Sequence, residues 1–316
     1  MPRRTIVLPL FALGSACLAL AAGRPGSVEA ALSSSQPQTP LRGQPQDGPW
    51  TRDLRSLVLK GDAVSDRGFF AGSAGVPSLA RSGGTLYAAF QWFPQSDPES
   101  FDQVALARSP DQGRSWTPPK RLVVKDLPSG FQRPYDPTIV VAGDDLLRLY
   151  FTSNPKGREG GASGQAIYSA CSKDGGETWT FEPGERLKGS GRSGAYDCAV
   201  AKLPGKDGDV WHMITPLPPG ARDDLGRPGG GGAYHATSKD GLTFSRAERF
   251  EWEGKGQWIG NLMVADGELV FFGSPGPGTD GGKLWRATSK DGLKWSKPTP
   301  LDAVGADPAA VRLENG

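Results

Sequence analysis

Ala107-Arg108-Ser109-Pro110-Asp111-Gln112-Gly113-Arg114-Ser115-Trp116 recurs, with variations, three more times along the chain. The later copies are Ala170-Cys171-Ser172-Lys173-Asp174-Gly175-Gly176-Glu177-Thr178-Trp179, Ala236-Thr237-Ser238-Lys239-Asp240-Gly241-Leu242-Thr243-Phe244 and Ala287-Thr288-Ser289-Lys290-Asp291-Gly292-Leu293-Lys294-Trp295. Their serines are 63, 66 and 51 residues apart. Each copy ends a short extended run, such as Val104-Ala105-Leu106, and precedes another, such as Arg121-Leu122-Val123-Val124. That pattern describes a hairpin. The aspartate can accept bonds from turn N–H groups, glycine adopts positive φ without a Cβ clash, and the aromatic covers the turn. Four such hairpins at long intervals mark an internal repeat.

Each hairpin lies within a unit of four expected strands. The units open at Val76-Pro77, Asp136-Pro137, Asp197-Cys198 and Asn261-Leu262, with a fifth opening at Asp307-Pro308. Four short antiparallel strands per repeat describe a blade, so an all-β propeller with four complete blades and a partial fifth is expected over 51–316. Asn315-Gly316 is a hairpin signal with nothing after it, which is the basis for expecting C-terminal truncation. The alternative pairs the fifth innermost strand with an N-terminal strand around Leu54–Leu59.

Composition agrees with this class. Of 316 residues, 45 are Gly and 28 Pro, and no long stretch beyond residue 35 has helical periodicity. A net charge of +2 without a dense basic block gives no reason to expect nucleic acid. Arg3-Arg4 followed by apolar residues to Ala22 describes a signal peptide at 1–23. A secreted or extracytoplasmic protein (periplasm or cell surface) is therefore expected, with no stable membrane insertion beyond that peptide. Cys17 also admits a lipoprotein. Residues 24–50, rich in Ser, Gln, Pro and Gly, read as a flexible linker. Cys171 and Cys198 are expected to be free, buried thiols. His212 and His235 read as strand residues, so neither a metal site nor a cofactor is expected.

The four hairpins resemble the Asp box of the sialidase superfamily of β-propellers, from about Gly75 to the C-terminus. The resemblance implies that the hairpins are structural and lie on the face away from the active site. It also implies an arginine before the first blade's Pro77, where this chain has Gly75, and an acid/base aspartate twelve residues before Ser109, where Asp97 stands. The family's paired glutamate would fall near Gly260-Asn261, where there is no acid, so standard sialidase activity is not expected. Tyr-Asp-Pro-Thr-Ile and Ala-Asp-Pro-Ala-Ala also look like strand openings of the five-bladed arabinofuranosidase and fructosidase clan, which place carboxylates there.

If hairpins define one face, the strand openings meet in a funnel on the other. That arrangement makes Asp136, Asp197 and Asp97 the candidate catalytic residues. Arg133, Tyr135, Tyr196, Asn261, Trp258, Trp92 and Asp307 become candidate substrate-binding residues. Converging carboxylates shift one another's pKa values, and paired carboxylates flanking a glycosidic bond are the common machinery for its hydrolysis. The expected partner is a glycan or glycoconjugate. A non-catalytic module binding carbohydrate or protein through the same funnel is the alternative.

Overall fold

The computed structural model describes residues 5–10, 58–60, 63–65, 74–94, 97–155, 164–188, 195–217, 232–245, 247–253, 258–274, 283–304 and 306–313. Among these, four antiparallel blades and a partial fifth sheet form a β-propeller without helices. Strand β1 is Thr5–Leu10, and β2 (Val58–Lys60) and β3 (Ala63–Ser65) form a small hairpin. The first blade comprises β4 (Ala74–Ser82), β5 (Thr85–Trp92), β6 (Gln103–Ser109) and β7 (Lys120–Arg121). Strand β8 (Val124–Lys125) leaves that blade and adds in parallel to the outer edge of the second, a strap between neighbours. The second blade is β9 (Tyr135–Gly143), β10 (Leu146–Ser153), β11 (Ala166–Ser172) and β12 (Trp179–Lys188).

The third blade is β13 (Ala199–Leu203), β14 (Val210–Pro216), β15 (Gly232–Ser238) and β16 (Glu248–Glu251). The fourth is β17 (Trp258–Ala265), β18 (Glu268–Ser274), β19 (Lys283–Ser289) and β20 (Thr299–Val304). Strand β21 (Ala306–Arg312) takes the fifth innermost position and pairs antiparallel with β1, Thr5 opposite Arg312. The N-terminal partner of the fifth strand is thus drawn from the apolar run read as a leader. The segment around Leu54–Leu59 contributes Val58 and Leu59 to the separate hairpin instead.

Innermost strands pack in the order β4, β9, β13, β17, β21 and back to β4, so the ring closes. Five apolar seams fill the gaps between sheets. Leu149, Phe151 and Trp179 meet Ala89 and Leu106 of the first blade, and Met213, Val200 and Trp211 meet Tyr150 and Ile167 of the second. Leu262, Phe271 and Trp285 meet Ile214 and Trp252 of the third. Strand β21 serves two seams through its two faces. Ala310 faces Phe272 and Leu284 of the fourth blade, while Ala309 and Val311 face Leu79 and Phe90 of the first, as the period-two alternation of a strand requires.

The Ser-x-Asp hairpins join third to fourth strands. In the first, Ser109 Oγ donates to Asp111 Oδ1 at 2.8 Å and accepts from Gly113 N at 2.7 Å, while Ser115 N donates to Asp111 Oδ1 at 2.8 Å. The second repeats this through Ser172, Asp174, Gly176 and Thr178. The ring nitrogen of Trp179 closes it by donating to Gly176 O at 3.1 Å. The second, third and fourth hairpins also dock on the preceding blade. Gly175 sits 3.5 Å, measured from an added Cβ, from the Tyr87 hydroxyl, and Gly241 O accepts from Tyr150 Oη at 2.8 Å. A Cβ on Gly292 would lie 2.3 Å from Nε2 of His235, so only glycine fits that contact.

His212 and His235 are neighbours on β14 and β15, both buried, with Nδ1 of His212 2.9 Å from Nε2 of His235. Burial pushes both imidazoles down to about 4. Cys171 and Cys198 are free thiols; Cys198 is buried and Cys171, on β11, is half-buried rather than fully enclosed. Among the described residues, no helix is long and apolar enough to cross a membrane.

Candidate functional site

Strand register fixes where the blade openings lie. In the second blade, Leu147 pairs with Ser172 at the hairpin end, whereas Thr152 pairs with Tyr135 at the opening end. Openings and hairpins therefore occupy opposite ends of the sheet. At the opening the β9–β10 ladder slips between Tyr150 and Thr152, and the β4–β5 ladder slips between Gly75 and Ser78. The residue inside each slip takes left-handed backbone. Val76 has φ 46°, Asp136 49°, Asp197 50° and Asp307 46°. Aspartate tolerates this conformation; a β-branched valine does so only under strain. The shared left-handed backbone at the opening gives the three aspartates one local geometry on three sheets.

The three carboxyl groups meet electrostatically. Burial, then the neighbouring Asp307 carboxylate, pushes Asp136 up to about 7, with a Thr152 hydrogen bond opposing them. Burial pushes Asp197 well above the carboxylate range, and Asp136 and Asp307 push it further. Asp197 is only 6% exposed, while Asp136 and Asp307 are half-buried. Among the described residues no group of His, Cys, Asp or Glu is arranged to hold a metal ion. The arrangement raises two carboxyl groups, Asp136 to about 7 and Asp197 well above the usual range, and proton-holding carboxyl groups of this kind are what acid–base chemistry needs.

A hydrogen-bonded chain fixes Asp136 and Asp197. Arg133 is ion-paired with Asp102, and its Nε donates to Asp102 O at 2.5 Å. Gln91 donates through its amide nitrogen to Asp102 and accepts at Oε1 from Asp136 N at 3.4 Å. Thr152 Oγ1 donates to Asp136 Oδ2 at 3.3 Å and accepts from Asp197 N at 2.8 Å. Gln91 lies opposite Gly75 and Thr152 opposite Tyr135, so the two occupy the same place in successive blades. Each receives the backbone N–H of the next blade's aspartate.

The remaining sequence-predicted residues divide. Tyr135 and Tyr196 belong to the cluster. Burial raises both phenols, and Asp136 acts on each while Asp197 acts on Tyr196. Tyr135 Oη also accepts from Gln165 Nε2 at 2.6 Å. Asn261 is buried at the fourth opening, opposite Phe272, and is not among the residues with left-handed backbone. Trp258 pairs with Ser274 at the start of β17, and its side chain lies outside the described residues. Trp92 is buried in the seam with Leu79, Val311 and Leu313. Asp97 caps its own turn, accepting from Ser100 Oγ and from the backbone N–H groups of Glu99 and Ser100 at 3.1 and 3.2 Å. Those bonds, the Ser100 hydroxyl first, hold its carboxyl below the usual range and thus ionised. The loops carrying Arg222, Asp223, Asp224 and Arg227 and residues 156–161 lie outside the described residues.

Val76, Gln91 and Thr152 were not singled out by residue type. Aligning the four openings on their Pro or Cys would have placed Val76 at the aspartate position. Gly75, half-buried, has Phe93 3.5 Å from where its Cβ would stand, an ordinary contact distance.

No protein-family model matches this sequence, and no curated protein matches it. Solved structures do. An α-L-arabinofuranosidase from Clostridium thermocellum superposes with a TM-score of 0.56 at 14% identity, over 78% of this chain and 81% of its own. An exo-β-1,3-galactanase from Phanerochaete chrysosporium gives 0.51 at 12% identity, over 73% and 51%. A glycosyl hydrolase from Bacteroides ovatus gives 0.50 at 13%, over 73% and 71%. The chain has the propeller fold of these glycoside hydrolases. At such identities the likeness speaks for the fold alone.

Proposed function

We propose that this protein is an exported member of the sialidase-like propellers, that it binds a glycan at the mouth of its ring, and that it hydrolyses a glycosidic bond there. The observation that supports this is the meeting of Asp136, Asp197 and Asp307 from three separate sheets, with Asp136 pushed up to about 7 and Asp197 held well above the usual carboxylate range by burial and by its two neighbours. Hydrolysis needs one carboxyl that holds a proton for the leaving oxygen and one that loses it to activate water or attack carbon. Asp197, the more buried and raised by both neighbours, takes the acid role. Asp136, whose charged form Thr152 favours, takes the base role. Asp307 keeps the set from ionising fully. Tyr135, Tyr196 and Asn261 are proposed contacts for the sugar. Sialic acid is not the proposed substrate, because Gly75 stands where the carboxylate-gripping arginine would be.

The test is turnover of a panel of nitrophenyl glycosides, including α-L-arabinofuranosides, β-D-xylosides, β-D-galactosides, β-D-mannosides and a sialoside. One non-sialic member should be cleaved, and Asp136→Asn or Asp197→Asn should lower kcat by about 10²–10⁴-fold, the usual worth of a positioned acid or base. A wild type that cleaves none but binds a glycan array through Asp136 would establish the non-catalytic module instead. Neither turnover nor binding would end the glycan assignment.

A further inference from the structure

We infer that Thr152 is a positioning residue that sets the ionisation of Asp136 and ties it to the placement of Asp197. This deepens the proposed function and rests on it for its catalytic consequence, though not for its first readout. Thr152 is fully buried on β10, and its hydroxyl has one proton to give. Because Asp197 N–H already points at its oxygen from 2.8 Å, that proton is directed to Asp136 Oδ2 at 3.3 Å. One hydroxyl thus favours the charged form of one carboxyl and anchors the backbone that presents the other.

The equivalent position in the first blade shows what is particular here. Gln91 anchors Asp136 N in the same way, but its donor group is turned to Asp102, itself held by Arg133, and not to a funnel carboxyl. The anchor is repeated, and both anchors donate to a carboxylate, but only Thr152 gives its proton to one of the three funnel aspartates. The titratable groups interacting with Asp136 from neighbouring elements are Asp307 on β21, Asp197 and Cys198 before β13 and the Tyr196 phenol, with Tyr135 and Arg133 beside it in sequence. Against burial and the Asp307 carboxylate, the Thr152 hydroxyl is the hydrogen-bond donor that favours the charged form of Asp136.

The experiment is a carbon-detected titration of protein labelled at aspartate carboxyl carbons, with Asp136 assigned through Asp136→Asn. In Thr152→Val, nearly the same in shape but without the donor, the Asp136 midpoint should rise by about one pH unit, the worth of a hydrogen bond to a charged group. Thr152→Ser should return it to the wild-type midpoint. If Thr152→Val does not fold, Thr152→Cys, with a weak thiol donor, should give a rise of the same direction. In turnover, the acid limb of the kcat/KM profile should move up with the midpoint. An unmoved Asp136 in the Val variant, or a Ser variant displaced as far as the Val one, overturns the inference even if glycosides are cleaved. A displaced midpoint in a protein that cleaves nothing upholds it while removing the hydrolytic reading.

Discussion

Replacing Asp136 by Asn should stabilise the fold in neutral to alkaline solution while lowering turnover. The carboxyl is pushed from 3.8 to about 7 on folding, chiefly by burial. Between those values the folded chain keeps a proton that the unfolded chain releases, so stability is full below the lower value and falls as pH rises through the upper. At about 1.4 kcal/mol per pH unit, the cost reaches a ceiling of about 4 kcal/mol by about pH 8. Asparagine does not ionise and carries no such cost. Urea unfolding of both proteins from about pH 5 to about pH 8 should therefore show Asp136→Asn gaining about 2–3 kcal/mol on the wild type across that interval. The histidine pair titrates alike in both proteins and cancels from the difference. A difference that stays constant with pH would refute the premise that Asp136 is held protonated by its surroundings.

Acid should act through a different pair. His212 and His235 are pushed down from 6.5 to about 4, so their contribution is whole above 6.5 and is lost as pH falls towards 4, by at most about 3 kcal/mol per imidazole. A His212→Gln, His235→Gln double variant should unfold in urea with a flatter pH dependence below about pH 6. Val76→Asn should raise the thermal midpoint, because asparagine accepts the left-handed backbone that valine holds at φ 46°, a gain of about 1 kcal/mol. Gly292→Ala should cost about 2–4 kcal/mol in chemical denaturation, since its Cβ would stand 2.3 Å from His235. Gly83→Ala, at similar φ but in open space, should cost only the backbone part, about 1 kcal/mol.

What could be read from sequence was what the chain does locally. Ser109 reaches Asp111 two residues away and Gly113 four away, so residue types and short spacing carry the whole hairpin. The blade openings were legible for the same reason, through Asp-Pro at Asp136 and Asp307. The anchors were not. Thr152 meets Asp197 across 45 residues, as Gln91 meets Asp136, and a threonine at a strand end looks like any other until the ring brings blades together. Trp92 was drawn towards the funnel by its place beside a loop, but the alternation along β5 turns it into the seam with Val311. Asp97 has the spacing of a functional residue and the bonds of a turn cap, a difference visible only in coordinates.

The docking of three of the four hairpins on the blade before them, Gly175 at Tyr87, Gly241 at Tyr150 and Gly292 at His235, gives assembly a direction. During synthesis the second, third and fourth sheets each meet a surface already made, while the first blade and β1 wait for β21 to complete their contacts. A ring with the opposite polarity would leave each sheet's hairpin without a seat until the next had been made, prolonging the life of exposed seams that invite aggregation.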